Sequence, residues 1–427
     1  MTTTGDSVMG AATIYRRPGT TTVQTGILGG SPLYAKFRDT GGWTISDSLR
    51  AVSMEAAGCT IDDDLVARLQ SEPLSSWPDG LMSFIRDVVV LDPNSTYHFD
   101  EHDSRFRVER DRQEWPDSRP LTPTSLIEHL HAALVEADIQ EPPLLFLSGG
   151  LDSALLAVVM VDCGITFDSV CVYDGHNADD VEYATALATE LGVPFSVYEF
   201  GYDSFLYGLP SAIAAFSDPR PDLFLASGLV DCLSKIGPDK YETVIGGEPA
   251  DALLGGLRTQ VNALNDASRG SIRAQALRTQ IPRDIAILEQ SASTIGANGY
   301  CPYAHHMLAA DALSTPWSAL LDPENAIHAT TGELGGPGYK ILQTSSATLL
   351  PSSELRRIAR RTKRGLPSSA ISHWRTLQAE LSGDPGDMKP MLSLGVNIFE
   401  QIFVHGSSPS EISVEDSIAY VKELHRR

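Results

Sequence analysis

Three stretches of this 427-residue chain gather anion-binding or acid–base side chains at close spacing. The first is LLFLSGGLDSALL, residues 144–156. An apolar run suited to a buried strand ends in Gly149 and Gly150, and the spacing predicts a helix from about Asp152. Such glycines let backbone N–H groups approach an anion, and a helix N-terminus adds a favourable dipole. Ser148 and Ser153 offer hydroxyl donors to phosphate oxygens, while Asp152 would repel a bare phosphate. Its chemistry is therefore to hold Mg²⁺ that bridges to one. No GK[ST] ending follows, which excludes a Walker-type loop. The second stretch, VIGGEPADALLGG (244–256), again follows a strand and again ends in glycines. The third, LRRIARRTKRGLP (355–367), places six basic residues between 356 and 364. A charge run is ordinarily a solvated helix face, and its arginines can also steer an anionic substrate or peptide.

The elements around these motifs alternate. Strands are expected at 144–147, 170–173, 195–200 and 241–245, and helices at 122–136, 154–163, 179–192 and about 222–235. Alternation of this kind predicts an α/β fold, a parallel sheet flanked by helices with its ligand site at the carboxyl ends of the strands. Upstream, residues 1–25 are Thr- and Gly-rich without periodicity and read as partly loose. Residues 31–48 read as a hairpin, 62–70 as a short helix, and FIRDVVVLDP and STYHFD as two strands. Residues 105–121, charged and Pro-bearing, read as a linker. A boundary near 120 divides a β-rich amino-terminal domain (1–120) from an ATP-binding domain (121–427), whose carboxyl-terminal part is mainly helical.

The totals exclude several classes. A net charge of −23, from 55 acidic and 32 basic residues, repels nucleic acid and anionic membranes, so neither is expected as a partner. It also repels ATP, so a nucleotide site requires a cation and local basic groups. Cys59, Cys163, Cys171, Cys232 and Cys301 form no CxxC pair, which indicates neither a disulfide framework nor a zinc site. With no basic-then-apolar start and no apolar stretch approaching a membrane span, a cytoplasmic location is expected.

The SGGLDS hexapeptide resembles the pyrophosphate-binding PP-loop of the ATP pyrophosphatases, which cleave ATP between the α- and β-phosphates. The second stretch resembles the SGEGADELFGG pattern of the asparagine synthetase superfamily, which includes β-lactam and carbapenam synthetases and lasso-peptide cyclases. Gly247, Glu248, Ala250, Asp251, Leu253, Gly255 and Gly256 fall on matching positions, whereas Gly246 replaces a serine, Pro249 a glycine and Ala252 an acid. Pro249 removes an N–H and with it a phosphate contact. The resemblance implies that Asp251 is the second Mg²⁺ carboxylate beside Asp152, that Glu248 receives the amine proton, and that Lys363, in RRTK, stabilises the acyl-adenylate. It implies phosphate contacts at Ser148, Gly149, Gly150, Ser153 and Gly247. CPYAHHMLAADALSTP (301–316) is similar to the family's PFLD segment, with His305 at the usual aspartate. GYK (338–340) and LLP (349–351) resemble the stretch before the family's RxK motif.

Glutamine-dependent members open with Cys after Met. This chain opens MTTT, nothing supports Thr2 as a nucleophile, and the first domain resembles a shortened glutaminase remnant without its early strands. The expectation is an AMP-forming amide synthetase using ATP and Mg²⁺, joining a small-molecule or peptide carboxylate to an amine. Lasso-type macrolactam closure comes first, with a leader-peptide-binding protein or protease as partner. A β-lactam-type ligase, a glutamine- or ammonia-dependent amidotransferase and an inactive nucleotide-binding scaffold are the alternatives. Net charge argues against a PP-loop enzyme of tRNA.

Overall fold

A computed structural model describes the chain except residues 1–4, 10–11, 27, 55–58, 73–76, 78–79, 111–117, 140, 176–177, 257–271, 274, 323–337, 362–370, 383–386 and 427. The chain forms two compact units, each discontinuous in sequence. One comprises Met1–Gln113, Gly201–Asp231 and Ala370–Arg427, and the other Glu114–Phe200 and Cys232–Ser369. One break between the units, Gln113 to Glu114, lies close to the boundary expected near 120, and two later segments, Gly201–Asp231 and Ala370–Arg427, pack with the amino-terminal residues. No helix among the described residues is long and apolar enough to cross a membrane.

The second unit holds a five-stranded parallel sheet in the order Phe195–Glu199, Asp168–Tyr173, Leu144–Phe146, Thr243–Ile245, Asn298–Tyr300. Leu144, Leu145, Val170, Val244 and Ile245 are buried, as central parallel strands require. The chain runs outward from Leu144–Phe146 in one direction and then crosses to build the other half from Thr243–Ile245. The order therefore reverses between these two neighbours, and such a switch point leaves a crevice at the strand tips. The fifth strand, Asn298–Tyr300, carries no β-favouring residue at its first two positions, Asn and Gly, and had no sequence signal. The helix Pro123–Glu136 starts on a Thr122–Ser125 capping box. The helix Leu151–Asp162 buries every residue from Ser153 to Met160, so it lies in the interior of this unit.

The first unit is antiparallel in its amino-terminal part. Gly5–Met9, Ala12–Arg17, Thr20–Gln24, Ser95–Asp100 and Phe106–Arg110 form one sheet; Trp43–Ser46, Tyr34–Phe37 and Val89–Val90 form another. Ile14, Val23, Ala35, Ile45, Tyr97 and Phe99 pool in one core. Three expectations are corrected here. Gly5–Met9, Ala12–Arg17 and Thr20–Gln24 are strands, so the stretch is not loose there and strands preceding residue 31 are present. The run Thr20–Gln24 alternates exposed and buried positions, because threonine, though polar, is β-branched and suits a pleated strand. Within the supposed linker, Phe106–Arg110 pairs with Ser95–Asp100. The helices Tyr202–Phe216, Ile371–Ser382, Lys389–Phe403 and Val414–Leu424 complete this unit.

Candidate active site at the sheet switch point

The loop after Leu144–Phe146 is tied by its own hydroxyls. The Ser148 N–H donates to Ser153 Oγ at 3.2 Å, Ser153 Oγ donates to the Gly150 carbonyl at 3.3 Å, and the Gly150 N–H donates to Ser148 Oγ at 3.3 Å. Gly150 caps the following helix without any side-chain hydrogen bond, so the helix dipole meets the crevice unmasked. Gly149 has φ +69°, and a Cβ there would lie 2.2 Å from the Asp180 carbonyl oxygen. Gly149→Ala is therefore expected to displace the loop, costing about 2 kcal/mol or more of stability and weakening ATP binding, as read by thermal melts and calorimetry.

The turn after Thr243–Ile245 presses on this loop. A Cβ on Gly247 would stand 3.4 Å from the Ser153 nitrogen and 3.7 Å from Asp152 Cβ, so the two turns are in van der Waals reach. At Gly246 a Cβ would come within 2.2 Å of Glu248 Oε2, which explains glycine where serine is usual: the Glu248 side chain folds over it. The Asp251 carboxylate folds over Gly256 in the same manner, with a Cβ there only 2.0 Å from Asp251 Oδ1.

Asp152 and Asp251 converge on one cation. Lys340 Nζ donates to Asp152 Oδ2 and to Asp251 Oδ1, with the lysine side chain only 7% exposed. Burial alone would depress this ammonium; the two carboxylates override it and hold its pKa well above the ordinary lysine value. Gln343, one helical turn on, directs its Nε2 at Asp152 Oδ1 across 3.5 Å, and its Oε1 has no hydrogen-bond partner. The fully buried Tyr303 donates its hydroxyl to the Asp152 carbonyl at 3.0 Å.

Acids accumulate behind this pair. Burial pushes the Glu248 carboxyl up, and Asp251 and Asp152 push it further. Burial likewise drives Asp284 up to about 7, against the hydrogen bond from Gln280 and the nearby Arg283 charge, with Glu248 and Asp251 adding to the rise. A carboxyl held protonated in the fold but ionised in the unfolded chain gives stability that is full below pH about 4 and lost as pH rises toward about 7. Asp284→Asn is expected to flatten that slope and to stabilise the protein by about 2 kcal/mol at pH 8, in urea titrations across the range.

Of the residues singled out from sequence, Ser148, Gly149, Gly150, Asp152, Ser153, Gly247, Glu248 and Asp251 are brought together here. Lys363 lies outside the described residues. His305 instead engages Glu136 at 3.0 Å, while Tyr303 of the same segment reaches Asp152. The sequence assigns no role to Lys340 or Gln343; the GYK triplet at 338–340 is the signal that points toward them.

Residues 131–295 match the asparagine synthase family model. No curated protein matches the chain. Among solved structures, NMN synthetase from Francisella tularensis is similar at 15% identity over 45% of this chain and 91% of that one, with a TM-score of 0.24. The glutamine-dependent NAD+ synthetase from Acinetobacter baumannii, solved with ADP, is similar at 17% identity over 80% of this chain, with a TM-score of 0.27. The match spans 50% of that protein's length.

Proposed function

We propose that the asparagine synthase-type domain at residues 131–295 serves here to form an amide bond, activating a carboxylate with ATP and releasing pyrophosphate and AMP. The observation that carries this reading is the convergence of Asp152 and Asp251, from two turns at the sheet's switch point, on the buried Lys340 ammonium.

The donor set fits Mg²⁺. Two hard carboxylates that already share one cation, beside the orphaned Gln343 Oε1, match an ion that takes one or two protein carboxylates and completes its shell with phosphate oxygens and water. Asp152 and Asp251 would hold it, and it would supply neutralisation of charge on the departing pyrophosphate. The N–H groups of the Ser148–Ser153 turn bind the triphosphate, and Lys340 offers ammonium protons to it. A carboxylate oxygen of the substrate attacks the α-phosphorus, the α–β bridging oxygen leaves with pyrophosphate, and an acyl-adenylate results. The amine then attacks the acyl carbon, AMP departs, and Glu248, whose carboxyl is already raised, takes the amine proton. Lys363 in the RRTK run is the further cation assigned to the acyl-adenylate. Catalysis rests on positioning and charge neutralisation.

The substrate favoured is a peptide that supplies both its own amine and a side-chain carboxylate, as in lasso-type macrolactam closure, with a leader-binding protein or protease as partner. A small-molecule amide or lactam ligation comes second. Incubation with ATP, Mg²⁺ and a substrate carrying ¹⁸O in its carboxyl group is expected to place the label in AMP. Production of ADP and phosphate instead would overturn carboxylate attack at the α-phosphorus. Loss of one water from an unlabelled peptide, read by mass spectrometry, distinguishes ring closure from ligation to a second molecule.

A further inference from the structure

Away from the carboxylate pair, the same unit carries a cleft of about 520 Å³ lined by Tyr183, Ser353, Arg356, Arg357, Arg360 and Arg361. Four guanidiniums facing one cleft are notable on a chain of net charge −23. They stand on the helix Ser353–Arg360 and the residue that caps it, at positions i, i+1, i+4 and i+5, and so present two ranks along one face. Tyr183 organises them: the Arg357 guanidinium lies 4.4 Å and that of Arg361 4.6 Å from its ring centre. Stacked guanidiniums are held in plane with their N–H edges available for oxyanions.

Not all of this charge is spent internally. Arg357 pairs with Glu354 at 2.6 Å and Glu182 at 3.3 Å, and Arg361 pairs with Asp180. Arg356 donates only to the Leu350 backbone carbonyl at 2.8 Å, and Arg360 is exposed; neither has a carboxylate partner among the described residues. Among the described residues, each rank thus keeps one cation without a carboxylate partner. The ranks are separated by four residues of helix, about 6 Å. Alternate side chains on one face of an extended peptide are about 6.6 Å apart.

We propose that this cleft binds an extended acidic peptide segment, with carboxylates at alternate residues meeting the Arg356 and Arg360 ranks. Its position gives the site a link to the pyrophosphate loop. Asp180, which accepts from Arg361, is the residue whose carbonyl packs on Gly149. Binding at the cleft needs no turnover and is measurable without ATP, so its test stands apart from that of the ligase reading.

The probe is a fluorescein-labelled Glu-Thr-Glu-Thr-Glu-Thr peptide read by anisotropy against the full chain, with the Gln-for-Glu peptide as its neutral counterpart. The acidic peptide is expected to bind about tenfold more tightly than the neutral one, and to weaken as NaCl rises from about 0.05 to about 0.5 M. The double variant R356Q/R360Q, which breaks no ion pair with a carboxylate, is expected to lose about tenfold in affinity with an unchanged melting temperature. Equal binding of the two peptides, or undiminished binding by the double variant, would overturn the proposal. Displacement of the peptide by equimolar pyrophosphate would overturn it in favour of a small-anion site. Salt-sensitive self-association of the chain, abolished by R356Q/R360Q in sedimentation velocity, would overturn it in favour of an interface between copies.

Discussion

Asp152→Asn is expected to lower pyrophosphate release about a thousandfold, with the fold intact. The side chain is nearly isosteric, and Tyr303 holds the Asp152 main-chain carbonyl, so the loop keeps its course. What disappears is one negative charge from the pair that gathers a cation at the strand tips. An amide oxygen is a far weaker Mg²⁺ ligand than a carboxylate, so the loss is expected in kcat and in Mg²⁺ affinity together. Pyrophosphate release at rates within tenfold of the parent would remove Asp152 from the chemistry. The melting temperature is the control, because Lys340 retains Asp251 as a partner.

Lys340→Met separates the two roles the ammonium fills. Turnover is expected to fall about a hundredfold or more, because the triphosphate loses a preorganised donor. Stability is expected to fall by about 3 kcal/mol at neutral pH, since two carboxylates are left facing each other with no cation between them. Mg²⁺ alone is then expected to restore most of the melting temperature in the variant and to change the parent little. Lys340 itself gives no pH dependence near neutrality. Its raised pKa means that its stabilisation is full below the unfolded lysine value and is lost only at alkaline pH above it. A Lys340→Met protein as stable as the parent without Mg²⁺ would show that the two carboxylates do not constrain one another.

Much of the sheet could be read along the chain. LLFL, VCVY and FSVYEF are compact apolar or β-favouring runs, and Leu144–Phe146, Asp168–Tyr173 and Phe195–Glu199 lie where they predict. Asn298–Tyr300 could not be read, because it becomes a strand through pairing with Thr243–Ile245 rather than through its own residues. Residues 12–24 misled for a related reason: hydrophobicity scales score Thr20–Gln24 as polar, but its alternating face packs Thr21 and Val23 inward. The helix Tyr202–Phe216 runs through Pro210, a residue that ordinarily marks a break.

The sequence by itself determined the local chemistry: a strand, two glycines and a helix start at Ser148–Ser153, and a second glycine turn carrying Glu248 and Asp251. Both need only neighbouring residues, because turn geometry and helix initiation are set within a few positions. Tertiary structure alone decided that Lys340, 188 positions from Asp152 and 89 from Asp251, is the cation these acids share. It also decided that Glu248 and Asp284 are buried, which raises both carboxyls, and that neighbouring acids add to the rise. Electrostatic coupling depends on distance through a desolvated interior, and that distance is fixed by strand order and helix packing rather than by spacing along the chain.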